Sequence, residues 1–272
     1  MSKDITYENY EFQIPELSHH YGDKVHLSAD PLLLSQLAEL SQPSTKQPRI
    51  THLVRELYQG LLREVIAREV PRVTKTIETR MIDSCPEGIW HGQILDPDTR
   101  FVCVDIARAG TLPSQIAFEL LNDICEPNNI RQDHLYMNRV TNERGEVTGV
   151  NVSGSKLGGE VDNALVLLPD PMGATGGSLS HAVSIYKGLA EGSPKKLIAM
   201  HLIVTPEYLK RLQHDHPDVE IYAVRLDRGL SSPEVLRSEL GQYWDDERGL
   251  NEVQYIVPGA GGVGELLNNC FV

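Results

Sequence analysis

The stretch from Ala164 to Ser178 constrains this chain more than any other part of it. Ala164–Leu168 is an unbroken apolar run, the pattern of a strand buried on both faces. Pro169 and Asp170 follow, and then Pro171, Met172, Gly173, Ala174, Thr175, Gly176, Gly177 and Ser178 form a small-residue loop that opens a helix predicted to reach about Ala190. A loop of this kind turns backbone N–H groups inward and adds the hydroxyls of Thr175 and Ser178. The helix N-terminus behind it contributes partial positive charge, so the arrangement suits a phosphate group. Asp170, at the end of the strand, suits hydroxyl groups better than phosphate, because like charges repel. No Gly-Lys-Ser/Thr step occurs, so this is not a Walker A loop.

The same unit recurs along the chain. Arg100–Ile106 is a short β-branched apolar run that meets the turn Ala107-Arg108-Ala109-Gly110, and helical spacing resumes from Leu112 to Leu121. Lys196–Val204 reads as a strand followed by a helix from Pro206 to about His214, and Glu220–Val224 reads as another strand. Alternation of this kind predicts an α/β fold with a mainly parallel sheet flanked by helices, its strand-to-helix loops gathered along one edge. Upstream, Val54, Leu57, Tyr58, Leu61, Leu62, Val65 and Ile66 mark one face of a helix over Thr51–Arg68, which Pro71 ends.

Three segments fall outside the pattern. Residues 1–48 read as an N-terminal helical extension with a short helix near Pro31–Leu34 that packs on the body or on a partner chain, ahead of a domain over 49–272. Residues 139–157 are polar and glycine-rich, with alternating Val147, Val150 and Val152, and read as a β-arm or flexible flap. Residues 228–250 read as a polar insertion with a helix around Pro233–Leu240.

A net charge of −13 argues against non-specific binding to nucleic acid or an anionic membrane, so an anionic substrate needs a local pocket of N–H groups and a few arginines. The N-terminus lacks an apolar signal core, and no run approaches the roughly 18 apolar residues that span a bilayer, so a cytoplasmic protein is expected. Cys85, Cys103, Cys125 and Cys270 are too scattered for a metal or redox motif and read as reduced structural thiols. His214 and His216 read as a solvated helix end rather than metal ligands, and no protein-held metal is expected.

The loop sequence D-P-M-x-A-T-G-G-S resembles the phosphoribosyl pyrophosphate (PRPP) signature of the uracil phosphoribosyltransferase family, in which Pro follows a single acidic residue. Ile106-Ala107-Arg108-Ala109-Gly110 resembles that family's I-L-R-A-G segment, and Tyr255-Ile256-Val257-Pro258-Gly259-Ala260-Gly261-Gly262-Val263-Gly264 its uracil-reading Y-I-V-P-G-x-G-D-x-G. Arg139 falls where the family places an Arg before its arm, Lys156-Leu157 resembles the K-L that ends it, and Ser44-Thr45-Lys46 resembles its S-T-K. The resemblance covers roughly residues 30–267 and implies a type I phosphoribosyltransferase-like fold and transfer of phosphoribosyl from PRPP to uracil, giving UMP and pyrophosphate.

It implies catalytic roles for Asp170, Arg108 and Arg139. PRPP binding would fall to Arg108, Ala109, Gly110, Arg139 and the loop Asp170–Ser178, and base binding to Tyr255, Ile256, Gly261, Gly262 and Val263. It also implies Mg²⁺ bound through PRPP, a pyrimidine base (uracil first) as partner, and a homodimer or higher homo-oligomer.

The chain departs from the family at Gly262, where the family has Asp, at Leu266 for a basic residue, at Gly173 for Leu, and at Asp105 for Pro. Those departures leave three other readings open: a PRPP- or nucleotide-sensing regulator without catalysis, a transferase for a different base, and a scaffold with a vestigial site.

Overall fold

The computed structural model describes residues 4–141, 147–188 and 191–270, with 138–141 and 147–151 described as backbone only. In chain order the elements are β1 (Val25–Leu27), α1 (Pro31–Leu40), α2 (Arg49–Glu69), β2 (Arg72–Glu78), β3 (Ile89–Leu95), β4 (Phe101–Ala107), α3 (Thr111–Ile124), β5 (Ile130–Thr141), β6 (Val147–Lys156), β7 (Leu165–Pro169), β8 (Met172–Gly173), α4 (Gly177–Gly188), β9 (Lys196–Val204), α5 (Pro206–Asp215), β10 (Glu220–Leu226) and α6 (Val263–Asn268). The main sheet runs β1-β10-β9-β7-β4-β5-β6, with β8 paired to β9. Every pairing in it is parallel except β5 with β6.

The apolar strands have two cores to fill. Phe101, Cys103, Leu165, Leu167, Ile198 and Met200 face α1, α2 and α3, in a cluster with Leu37, Leu53, Leu57, Tyr58, Leu61 and Ile116. The alternate residues Val102, Val104, Val166, Leu168, Ala199 and Ile221 face α4 and α5, with Leu179, Val183, Tyr186, Leu209 and Leu212. A strand that serves both faces has no room for polar alternation, which is why these segments read as continuous apolar runs. Parallel pairing then brings the carboxyl ends of β4, β7, β9 and β10 to one edge, where the loops after Ala107, Pro169, Val204 and Leu226 meet.

Four segments differ from the pattern read in the sequence. β1, not expected from the sequence, pairs with β10, while Leu33, Leu37 and Leu40 of α1 enter the core, as a short helix that packs on the body would. β2 and β3 form a separate antiparallel hairpin. β5 begins at Ile130; its first half pairs in parallel with β4, and the strand then continues into the arm against β6. The helix expected around Pro233–Leu240 is not formed, and only one 3-10 turn, Val235–Arg237, occurs there. Buried Arg228 donates to the carbonyls of Ser238 (2.7 Å) and Glu239 (3.3 Å) and pairs with buried Glu247, so the segment is organised around these side chains rather than around a helical ladder. A second buried polar centre joins Glu69 and Glu220 at the opposite edge of the sheet, and the cation between them is Lys196 (2.6 and 3.2 Å). No helix among the described residues is long and apolar enough to cross a membrane.

Candidate active site

The loop after β7 is fixed from beneath. The carbonyl of Asp170 can only accept, so Nδ1 of His201 (2.6 Å) carries the proton and Nε2 accepts from the Tyr208 hydroxyl (2.5 Å). Burial pushes the imidazole down to about 4, against the opposing hydrogen bond to Asp170, so His201 is neutral at pH 7. Thr205 donates its hydroxyl to the Ala174 carbonyl (2.7 Å) and caps α5 through the Tyr208 N–H (3.0 Å). Gly176 adopts φ +77°, and a Cβ there would lie 2.6 Å from Leu212 Cδ2, so both conformation and space demand glycine. Gly173, where the resembled family has Leu, is equally enclosed: a Cβ would lie 2.9 Å from Val204 Cγ1 and 3.1 Å from the Tyr208 ring. Tyr208 fills the volume such a side chain would take.

The second wall is the turn after β4. A Cβ on Gly110 would lie 2.8 Å from the Ile106 carbonyl and 2.9 Å from that of Pro169, so glycine lets this turn approach the end of β7. Arg108 is exposed here and donates to the Cys270 carbonyl (3.2 Å), which draws the C-terminal segment over the turn. Asp105 is buried and accepts from the Thr111 hydroxyl (2.9 Å) while pairing with His134 Nδ1 (2.9 Å), so it ties β4 to α3 and β5.

The third wall, residues 254–265, has little regular structure and is held from distant parts of the chain. Buried Asp227 accepts from the Gly259 N–H (2.7 Å) and is paired with Arg225 (2.6 and 2.9 Å). The Gly229 N–H donates to the Val257 carbonyl (2.9 Å), and the Val257 N–H to that of Gly249 (2.8 Å). Asn251 Oδ1 accepts from the Tyr255 N–H (2.9 Å). The insertion at 228–250 is therefore the scaffold of this loop, and Glu207 anchors its end by accepting from the Gly249 N–H (2.9 Å). α6 then brings Gly264 against Ala109, whose Cβ is 3.1 Å from where a Cβ on Gly264 would lie.

Together the three walls enclose a cleft of 710 Å³. Of the residues singled out from sequence, Arg108, Ala109, Asp170, Met172, Ala174, Ser178, Tyr255, Ile256, Gly261, Gly262 and Val263 line it. Gly173, Thr175, Gly176 and Gly177 line an adjoining hollow inside the loop, shared with His201 and Tyr208. Gly110 is buried behind the turn, and Pro171 lies in the loop floor, its carbonyl accepting from the N–H groups of Leu202 and Ile203 (3.0 and 3.1 Å). Arg139 sits on β5 opposite Val150, and its side chain lies outside the described residues. Lys156 ends β6, and neither it nor Ser44, Thr45 and Lys46 line the cleft; the neighbouring Gln47 instead donates to the carbonyls of Leu266 and Leu267 (3.2 and 3.1 Å).

The cleft also takes Tyr136 and Met137 from β5, Ser153 from β6, and Gln254 and Glu265, none of which the sequence singled out. Only the polar alternation around Tyr136 could have signalled that strand. Chemically, the site joins a glycine-rich loop at a helix N-terminus, an exposed arginine, a carboxylate at a strand end, and an irregular loop rich in backbone donors and acceptors.

Comparison with known proteins agrees with this arrangement. The family model described as uracil phosphoribosyltransferase matches residues 27–246. The uracil phosphoribosyltransferase of Roseiflexus castenholzii is 32% identical over 245 residues, covering 90% of this chain and 97% of the relative. That of Roseiflexus sp. (strain RS-1) is 31% identical over 244 residues, with the same coverage. Among solved structures, the AQ2163 protein of Aquifex aeolicus superposes with a TM-score of 0.66 at 25% identity, over 89% of this chain and 97% of that one.

Proposed function

The chain belongs to the uracil phosphoribosyltransferase family, and from that membership we infer that its cleft transfers the 5-phosphoribosyl group of PRPP to uracil, giving UMP and pyrophosphate. The observation that carries the reading is convergence: a phosphate loop, an arginine turn and a base loop, far apart in sequence, line one cleft. The loop Thr175–Ser178 holds the 5-phosphate with backbone N–H groups and hydroxyls, and Asp170 accepts from the ribose hydroxyls. Arg108 neutralises the pyrophosphate, and family membership gives the same part to Arg139, whose side chain lies outside the described residues. Backbone groups of Tyr255–Gly262 orient the base.

A ring nitrogen of uracil bonds to C1 of the ribose as the bond from C1 to pyrophosphate oxygen breaks with inversion. The pyrophosphate departs with the bonding pair and the ring nitrogen loses its proton. Charge builds on the ribose and the leaving group together, so positioning and electrostatic stabilisation carry most of the acceleration. Asp170 and Glu265 are the acidic side chains among the cleft's lining residues, too few for a dedicated metal cage. They fit a Mg²⁺ held mainly through PRPP oxygens, which when bound neutralises the leaving group.

The same reading includes a cytoplasmic homodimer or higher oligomer. The β2–β3 hairpin, with Ile77 (42%), Met81 (58%) and Ile89 (40%) exposed, supplies an apolar surface suited to a second copy.

Pyrophosphate release from PRPP and Mg²⁺, assayed with uracil, with a panel of other bases and without base, tests the function. Release with uracil and none without base is expected. Release with another base alone would redirect the acceptor, and PRPP binding without release would favour a sensor.

A further inference from the structure

Gly262 has no side chain, and Glu265 occupies the space one would fill. A Cβ built on Gly262 would lie 2.5 Å from Glu265 Oε2 and 3.0 Å from its Cδ, so the two positions share one volume. Both residues line the cleft beside Tyr255, Ile256 and Gly261. Gly262 precedes α6 as its N-cap, and Glu265 is the third residue of that helix. A glutamate there can reach back to the N-cap N–H as a capping box, but the Glu265 carboxylate makes no hydrogen bond or ion pair among the described residues. It is partly buried with its acceptor capacity unspent, in a cleft whose proposed donor substrate is itself anionic. A carboxylate in that setting repels phosphate and is favoured where a cation screens it or where the ligand presents a proton donor to it, and the two are told apart by whether its loss affects PRPP or the base.

We propose that Glu265 supplies the carboxylate that position 262 lacks, accepting a hydrogen bond from the ring N–H of the acceptor base that does not bond to the ribose, and so helping to determine which base is used. The inference rests on the transferase reading above and adds a specificity-determining residue to it. The cleft keeps its carboxylate at the base end but hangs it from the first turn of α6 instead of from the loop.

The test is steady-state kinetics on Glu265→Gln, Glu265→Ala, Gly262→Asp and the double variant Gly262→Asp/Glu265→Ala, with melting temperatures for each. Glu265→Gln keeps the size and can still cap the helix, so it isolates the charge. The expected result is a drop in kcat/KM for uracil of about tenfold to a hundredfold in both Glu265 variants, with KM for PRPP within about twofold and the melting temperature unmoved. Gly262→Asp alone sets a second carboxylate against Glu265 and is also impaired. The double variant recovers to within about threefold of wild type, because one carboxylate again stands at the base end.

Wild-type kinetics in Glu265→Gln and Glu265→Ala would overturn the inference. So would a double variant no better than Glu265→Ala, or losses that track melting temperature and PRPP as much as uracil. UMP affinity by calorimetry separates the two levels. If the wild type binds UMP but forms none, the transferase reading falls. UMP affinity in Glu265→Gln then still decides: a loss of about tenfold supports the carboxylate contact, and unchanged affinity rejects it.

Discussion

The loops proposed to hold the phosphate and the base line the same cleft but are built in opposite ways. Residues 169–178 connect one strand to one helix, and their supports, His201, Thr205 and Tyr208, come from the adjacent β9–α5 unit. Residues 254–265 lack a strand or helix of their own until α6 begins at Val263, and they are held by Gly229 and Gly249 from the insertion and by Asp227 and Asn251 at its two ends. A 5-phosphate can be gripped by a self-contained turn, because helix N-terminal N–H groups already converge there. A flat base needs donors and acceptors at particular positions, and an irregular loop holds those only if other parts of the chain immobilise it.

The comparison predicts that damage to the first loop is severe and general, and damage to the scaffold of the second is selective. Gly176→Val puts a branched Cβ at φ +77° and against Leu212, so the loop must move. Turnover is expected to fall by about two orders of magnitude or more, with KM rising for PRPP. Steady-state kinetics on the purified variant checks this, and near-normal PRPP kinetics would show that the loop is not the phosphate site. Asp227→Ala removes the acceptor of the Gly259 N–H and the carboxylate partner of Arg225, leaving Arg225 its bond to the Gly259 carbonyl (3.2 Å). Its expected signature is a KM for uracil raised about tenfold to fiftyfold, with KM for PRPP within about threefold. If both constants rise together, the base loop is not held independently of the rest of the cleft.

Acid distinguishes the two loops in another way. His201 titrates near 4 in the folded protein and near its ordinary value of 6.5 when unfolded, so between those values the unfolded chain binds the extra proton. Stability is complete above about pH 6.5 and declines as pH falls towards 4. From pH 7 to pH 5 the loss is roughly 2 kcal/mol. Denaturant melts of wild type and His201→Asn at the two pH values check this; the variant should lack most of the difference. Asn251→Ala should have the smallest effect, raising KM for uracil about threefold to fivefold, because the Oδ1 bond to the Tyr255 N–H is exposed and water can replace it.

The same contrast explains what was legible in the sequence. Strands flanked by helices on both faces wrote themselves as apolar runs, so Lys196–Val204 was placed to the residue and β4 and β7 to within one. The phosphate loop was legible because its glycines, Asp170 and strand are adjacent in the chain. β5 was missed because its first half lies in the sheet and its second in the arm, which breaks any single periodicity. The base loop could be placed by its motif, but its supports lie up to about 30 residues away in a segment read as a polar insertion. The expected helix in that segment failed because Arg228 and buried Glu247, which are paired, organise it around side chains rather than around its own backbone. Glu265 escaped notice because nothing in sequence spacing says that a side chain has moved into the space of a glycine three residues before it.

The proposed function turns on this cleft joining PRPP to a base with Arg108 on the departing pyrophosphate. The most direct measurement is UMP formation from PRPP, Mg²⁺ and uracil by the wild type and by Arg108→Ala. UMP is expected from the wild type, and a kcat lower by about a hundredfold in the variant, with KM for uracil little changed. UMP formation undiminished in Arg108→Ala, or none by the wild type, would contradict it.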